Sequence, residues 1–176
     1  AGMIINGHTE VIAHIGFPTH AFKAPMIYNP WFEKAGANVV VVPMGCQSPD
    51  YATFLRSVFK LSNIRGALIT MPHKVPTTTL VDELSPTAAI AGACNAVRLG
   101  PQGQLQGDMF DGAGFVRGVL RKGLALRGAR ALVVGSGGVG SAIAASLAAE
   151  GLGALALFDV NLSLIHISEP TRPLYI

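Results

Sequence analysis

Apolar positions along this chain fall in short β-branched runs, and between the runs lie stretches with the spacing of helices. Val11 to Phe17 is a short apolar run closed by Pro18 and reads as a buried strand. Pro25 stands where a helix would begin, Met26 to Lys34 carries that helix, and Gly36 follows as its stop. Val39 to Val42 is a run of valines closed by Pro43, a second buried strand. Ser48-Pro49-Asp50 opens a helix with a hydroxyl cap, a proline in the first turn and an acid near the positive end. That helix is expected to reach about Leu61, with Phe54, Val58 and Leu61 on one face. Ala67 to Thr70 is the third strand.

Strand and helix thus alternate, which indicates a parallel sheet, because parallel neighbours need crossover connections. Thr77 to Val81 and Pro86 to Ala91 read as short helices. Ala96 to Leu99 and Leu105-Gln106 flank Gly100-Pro101-Gln102-Gly103, a hairpin turn. Asp111 is expected to cap a helix from Gly112 to about Arg121. Ala131 to Val134, a glycine loop, Ser141 to Glu150 and Ala154 to Phe158 then make one βαβ unit. The fold class is α/β, with a mostly parallel N-terminal lobe over 1–107 and the start of a dinucleotide-binding lobe over 108–161. After Asn161 the pattern stops. Residues 162–176 carry Pro170 and Pro173 and no amphipathic period, and are read as non-native sequence joined to a truncated reading frame. With so little of the second lobe present, Leu132, Val134, Leu155 and Leu157 are expected to stay partly exposed. The 176 residues alone are then expected to be inactive and to lose their C-terminal part first to protease.

Composition narrows the function classes. Half of the 176 residues are hydrophobic and 13% are charged, enough for a packed core and too little charge for a disordered chain. The net charge of +3 comes from scattered residues without basic runs or interleaved aromatics, which argues against nucleic acid as a partner. Cys46 and Cys94 lie far apart and in no metal-binding spacing, so no metal site is expected, and both read as buried thiols in a reducing, cytoplasmic compartment. No apolar run reaches the roughly 18 residues of a membrane span without interruption. A secretory signal pattern is absent from the sequence as given.

Candidate chemistry lies in three strings. Gly135-Ser136-Gly137-Gly138-Val139-Gly140 follows an apolar strand and opens an Ala-rich helix, the context a dinucleotide fingerprint requires. Gly135 permits the tight turn, Gly137 lets backbone approach a pyrophosphate, and Gly140 allows close helix–strand packing. Asp159, 19 residues past Gly140, suits the adenosine ribose hydroxyls and repels a 2′-phosphate. NAD is therefore the expected cofactor, with NADP the alternative. Lys74 in Leu68-Ile69-Thr70-Met71-Pro72-His73-Lys74 and Asp108 in Gly107-Asp108-Met109-Phe110-Asp111-Gly112 suit a proton-transfer pair working on a substrate hydroxyl. His73 beside Lys74 is read as structural.

Thr70-Met71-Pro72-His73-Lys74, Ala91-Gly92-Ala93-Cys94-Asn95 and Gly107-Asp108-Met109-Phe110-Asp111-Gly112, in that order, resemble the motifs of the shikimate/quinate dehydrogenase family. The resemblance covers about Val11 to Asn161. It implies a two-lobed NAD(P)-dependent oxidoreductase with Lys74 and Asp108 catalytic, and Thr70 and Asn95 hydrogen-bonded to ring hydroxyls of a small cyclic hydroxy acid. A homodimer is the candidate assembly. One part of the pattern departs. Where the family holds the substrate carboxylate with two serines, this chain reads Pro18-Thr19-His20-Ala21-Phe22-Lys23-Ala24-Pro25, with Phe22 and Ala24 at the serine positions and Lys23 retained. Leu68 replaces the family's asparagine. Another polyol or cyclic acid is thus as good a candidate substrate as shikimate. Two rivals stand beside this reading: a non-catalytic nucleotide- or metabolite-binding relative, and a methylene-tetrahydrofolate dehydrogenase-type enzyme.

Overall fold

The structure, a computed structural model, describes residues 2–160 and the backbone of residues 162–167. Its elements in chain order are β1 (Glu10–Gly16), α1 (Ala24–Lys34), β2 (Val39–Gly45), α2 (Ser48–Val58), β3 (Ile64–Ile69), α3 (Thr77–Leu80), β4 (Glu83–Leu84), α4 (Pro86–Ala91), β5 (Ala96–Leu99), β6 (Leu105–Asp108), α5 (Asp111–Arg121), β7 (Arg130–Val134), α6 (Gly138–Ala149), β8 (Ala154–Asp159) and β9 (Leu162–Ile167). They fall into two compact units, Ala1–Leu84 with Cys94–Gly107, and Ser85–Ala93 with Asp108–Ile176.

The first unit is built on a six-stranded sheet of order β2-β1-β3-β5-β6-β4. Its first three strands are parallel, as the crossover argument requires, and β5 runs antiparallel to β3. The strand begun by the valine run extends through Pro43 to Gly45, three residues past its β-branched core. Proline is tolerated there because β2 is an edge strand and one side of its ladder needs no donor. The core lies between β1, β3 and α2, where Ala13, Ile15, Tyr51, Leu55, Val58, Ala67 and Ile69 are buried together. On α2 the buried face is Tyr51, Leu55 and Val58, at helical spacing.

Two expectations for α2 are corrected. Its cap is Gln47, which makes no side-chain cap bond, and Ser48 is already helical. The helix ends at Val58, not Leu61, because Lys60 N–H bonds to Ser57 O and Leu61 N–H to Val58 O, tightening the chain out of the helix. Leu61 is consequently 56% exposed. On α1, Asn29 is the hinge to the sheet: its amide donates to Val41 O and accepts from Val41 N–H at 3.0 and 2.8 Å. This pins α1 to the edge strand.

The second unit carries a three-stranded sheet, β7-β8-β9, with β7 and β8 parallel. Helices α4 and α5 pack on α6. Its core is Val116, Ala144, Leu147, Leu152 and Leu155. Leu132 and Val134 lie on the opposite sheet face, 63% and 71% exposed, as expected; Leu155, by contrast, is buried. The difference is a matter of pleat, since Leu155 shares the α6 side with the core. Asp111 is the first residue of α5 rather than its cap, which is Phe110, and its acid sits in the first turn where the helix dipole favours it. Where no regular structure was expected after Asn161, residues 162–167 pair antiparallel with β8. The expectation for residues 168–176 lies outside the described residues. Among the described residues no helix is long and apolar enough to cross a membrane.

Candidate active site

In the first unit the C-terminal ends of β1, β2 and β3 come to one edge, the place where open parallel sheets take ligands. Thr70 follows β3 directly, with its N–H bonded to Ile15 O at 2.9 Å. Asn95, just before β5, accepts from Ile69 N–H at 2.8 Å, so the two predicted hydroxyl partners are brought to the same edge. Lys23 is exposed at the start of α1.

Lys74 is half-buried in the turn between β3 and α3, and its carbonyl accepts from Cys94 N–H at 2.9 Å. That turn is fastened from below by His73 and by two groups the sequence reading gave no such part, Tyr51 and Thr77. His73 is 1% exposed, and its ring stacks on Tyr51 at 3.9 Å with planes 3° apart. His73 Nε2 lies 2.7 Å from Cys46 O; a carbonyl only accepts, so Nε2 carries the proton. Thr77 Oγ1 donates to His73 O at 2.6 Å and meets the Tyr51 hydroxyl at 2.6 Å. Burial pushes the Tyr51 hydroxyl up to about 12, so it stays protonated and satisfied at neutral pH. Buried, stacked on Tyr51 and bonded to Cys46 O, His73 has the surroundings of an anchor for the turn. Both cysteines are buried, and neither is in a disulfide.

Asp108 belongs to the second unit. Its Oδ1 accepts from Ser85 Oγ at 2.6 Å and from Met109 N–H at 2.7 Å. Ser85 also caps α4, accepting from Ala88 N–H at 3.1 Å. One hydroxyl thus starts a helix and orients the carboxylate. The signal in the sequence was Ser85-Pro86, a helix start, but nothing local linked it to Asp108. Ser85→Ala is expected to cost about 1 kcal/mol through the lost cap. In a chain extended to its relatives' length it should also lower kcat about tenfold through the lost charge-assisted bond. Ser85→Thr restores both if the hydroxyl is what matters; thermal melts and steady-state kinetics read the two effects. Gly112, the last residue of the same motif, answers to packing: a Cβ there would collide with Ala142 O and Ser146 Oγ on α6.

The glycine loop has the form its spacing predicts. Gly135 takes φ +101°, a region that disfavours side chains. A Cβ on Gly140 would strike Gly135 O, whereas Gly137, the cap of α6, has open space around it. The turn is thus tight on its inner side and bare where a pyrophosphate would approach. Ser136, Gly138 and Val139 complete the loop. Asp159 ends β8 and accepts from Ser136 N–H and Oγ at 2.8 and 3.0 Å. The carboxylate is therefore locked across the loop, and the residues present fit a dinucleotide.

The first unit gathers Thr70, Lys74 and Asn95 at one edge of its sheet, and the second carries a glycine loop between a strand and a helix, which defines the class as an α/β protein of two units. Residues 14–97 match the family model of the shikimate dehydrogenase substrate binding domain. The chain is 36% identical over 151 residues to the shikimate dehydrogenase (NADP(+)) of Rubrobacter xylanophilus, covering 86% of this chain and 53% of the relative. It is 34% identical to that of Gluconobacter oxydans, over 84% of this chain and 52% of the relative. Among solved structures, the Listeria monocytogenes shikimate 5-dehydrogenase in complex with shikimate and NAD superposes with a TM-score of 0.80 at 30% identity, covering 88% of this chain and 53% of that one. The chain spans about half the length of the curated relatives it matches.

Proposed function

We propose that this chain supplies the substrate lobe and the opening of the nucleotide lobe of a shikimate dehydrogenase-type oxidoreductase. The enzyme would act reversibly between NAD(P) and a ring hydroxyl of shikimate, quinate or a related cyclic polyol. The observation that carries the reading is the fastened Lys74 turn, set beside Thr70 and Asn95 on one sheet edge within the matched family domain. Thr70 and Asn95 would receive neighbouring hydroxyls. Lys74 would take the hydroxyl proton while the carbinol C–H bond breaks, leaving a ketone, with Asp108 as its acid–base partner. When bound, the nicotinamide supplies the hydride acceptor. Gly135 to Gly140 would hold its pyrophosphate and Asp159 its adenosine ribose.

The test is turnover with NAD and with NADP over a panel of cyclic alcohols, by a chain extended to the relatives' length. Reduced cofactor should appear with at least one of them. Tight nucleotide binding with no turnover on any would instead favour a binding-only relative. From the 176 residues by themselves no turnover is expected: among the described residues the nucleotide unit has two parallel strands, and one face of its sheet bears exposed Leu132 and Val134.

A further inference from the structure

Beside Thr70, the edge of the first unit is apolar where a charged substrate group would need donors. Gly16 ends β1, and a methyl group built on it would strike Thr70 Cγ2 and lie 3.0 Å from Phe22 Cζ. Thr70 and Phe22 thus flank the same bare glycine, and the phenyl ring fills the space next to the residue assigned to a substrate hydroxyl. Behind the phenyl lies His14, its ring centroid 4.3 Å from that of Phe22. His14 is 6% exposed, and its Nδ1 is buried without a hydrogen-bond partner. Burial lowers the imidazole's basicity, so it is neutral at pH 7 and offers no compensating charge. In the sheet register His14 stands between Leu68 of β3 and Pro43 of β2, both without side-chain donors. Ala24, half-buried two residues after Phe22, offers no donor either.

We propose that the first unit selects an uncharged polyol, and that the Phe22 ring, backed by His14, is the surface that turns away a ring carboxylate. The proposal rests on the dehydrogenase reading, which makes Thr70 a substrate contact and puts a substrate carboxylate at positions 22 and 24. Bringing a carboxylate against the phenyl ring strips part of its hydration, and neither that ring nor the neutral imidazole packed on it returns an ionic partner. A neutral hydroxyl or ester loses little there, and the phenyl gives it a flat apolar wall.

The test uses two probes of the same ring, shikimate and methyl shikimate, titrated calorimetrically into the 176-residue chain. The ester should bind roughly tenfold more tightly than the acid, the value of one unmade hydrogen bond to a charged group. The His14 imidazole resonance should shift as the ester saturates. Phe22→Ser with Ala24→Ser should tighten the acid by about tenfold and leave the ester nearly unchanged. The comparison within the unsubstituted chain decides the matter even if that double variant fails to fold. Binding of the acid as tight as the ester, weakened by Lys23→Gln, would show that Lys23 holds the carboxylate and would overturn the proposal. Binding of neither probe would overturn it as well. The dehydrogenase reading is judged separately, by turnover and by substitution of Lys74.

Discussion

Replacing Lys74 by alanine lowers kcat by about 10²–10⁴, the usual worth of one positioned acid–base group, and leaves NAD affinity within about twofold. The split follows from where the residue sits. Lys74 belongs to the first unit, while the glycine loop and Asp159 belong to the second. Its backbone is fixed independently of its side chain, through Cys94 N–H on its own carbonyl and the His73–Tyr51–Thr77 bracket on the adjoining residues. Truncation at Cβ removes the amine and disturbs little else, so the melting temperature should hold. Tyr51→Phe makes the complementary control: it keeps the stacked ring and deletes the hydroxyl that meets Thr77, so its effect should fall mainly on stability. The measurement is steady-state kinetics in a chain of the relatives' length, with nucleotide affinity by fluorescence. An unchanged kcat in the Lys74 variant removes this residue from the mechanism.

Much of this arrangement was legible in the sequence because it is written in local chemistry. Short apolar runs announce strands whatever surrounds them, and β1, β2 and β3 lie where those runs stand. The glycine loop is equally local: a tight turn needs glycine at Gly135, and close packing of the turn needs it at Gly140. What could not be read were bonds made across sequence distance. Ser85 reaches Asp108 over 23 residues, and Tyr51 reaches Thr77 over 26. Each of these residues has a sufficient local explanation, as a helix cap or a core aromatic, which hides the second role. The α2 helix shows the opposite error. Phe54, Val58 and Leu61 form a plausible apolar stripe, but the buried stripe is Tyr51, Leu55 and Val58, because a tyrosine whose hydroxyl finds a partner can enter the core. At Phe22 the sequence showed that hydroxyls were missing; only the structure shows the ring lying against His14 and beside Thr70.

Cofactor choice is the sharpest test of the second unit. With Asp159 at the end of β8, kcat/KM should favour NAD over NADP by about 10–10². The carboxylate is not a loose side chain that can swing aside for a 2′-phosphate. Ser136 holds it twice, through N–H and Oγ at 2.8 and 3.0 Å, so its charge is fixed against the loop proposed to hold the pyrophosphate. Ribose hydroxyls can donate to such a group, whereas a phosphate brings like charge and only acceptors. The prediction discriminates, because the curated relatives from Rubrobacter xylanophilus and Gluconobacter oxydans carry NADP(+) in their names, while the Listeria monocytogenes structure contains NAD. Asp159→Asn retains an acceptor oxygen for Ser136 and removes the charge. It should therefore raise kcat/KM for NADP about tenfold and lower that for NAD by less. Raising ionic strength should weaken the discrimination only slightly, since the two like charges would lie within one Debye length, about 8–10 Å, of each other. A wild-type preference for NADP would mean that a basic group elsewhere in the protein neutralises Asp159, and would reverse its assigned role.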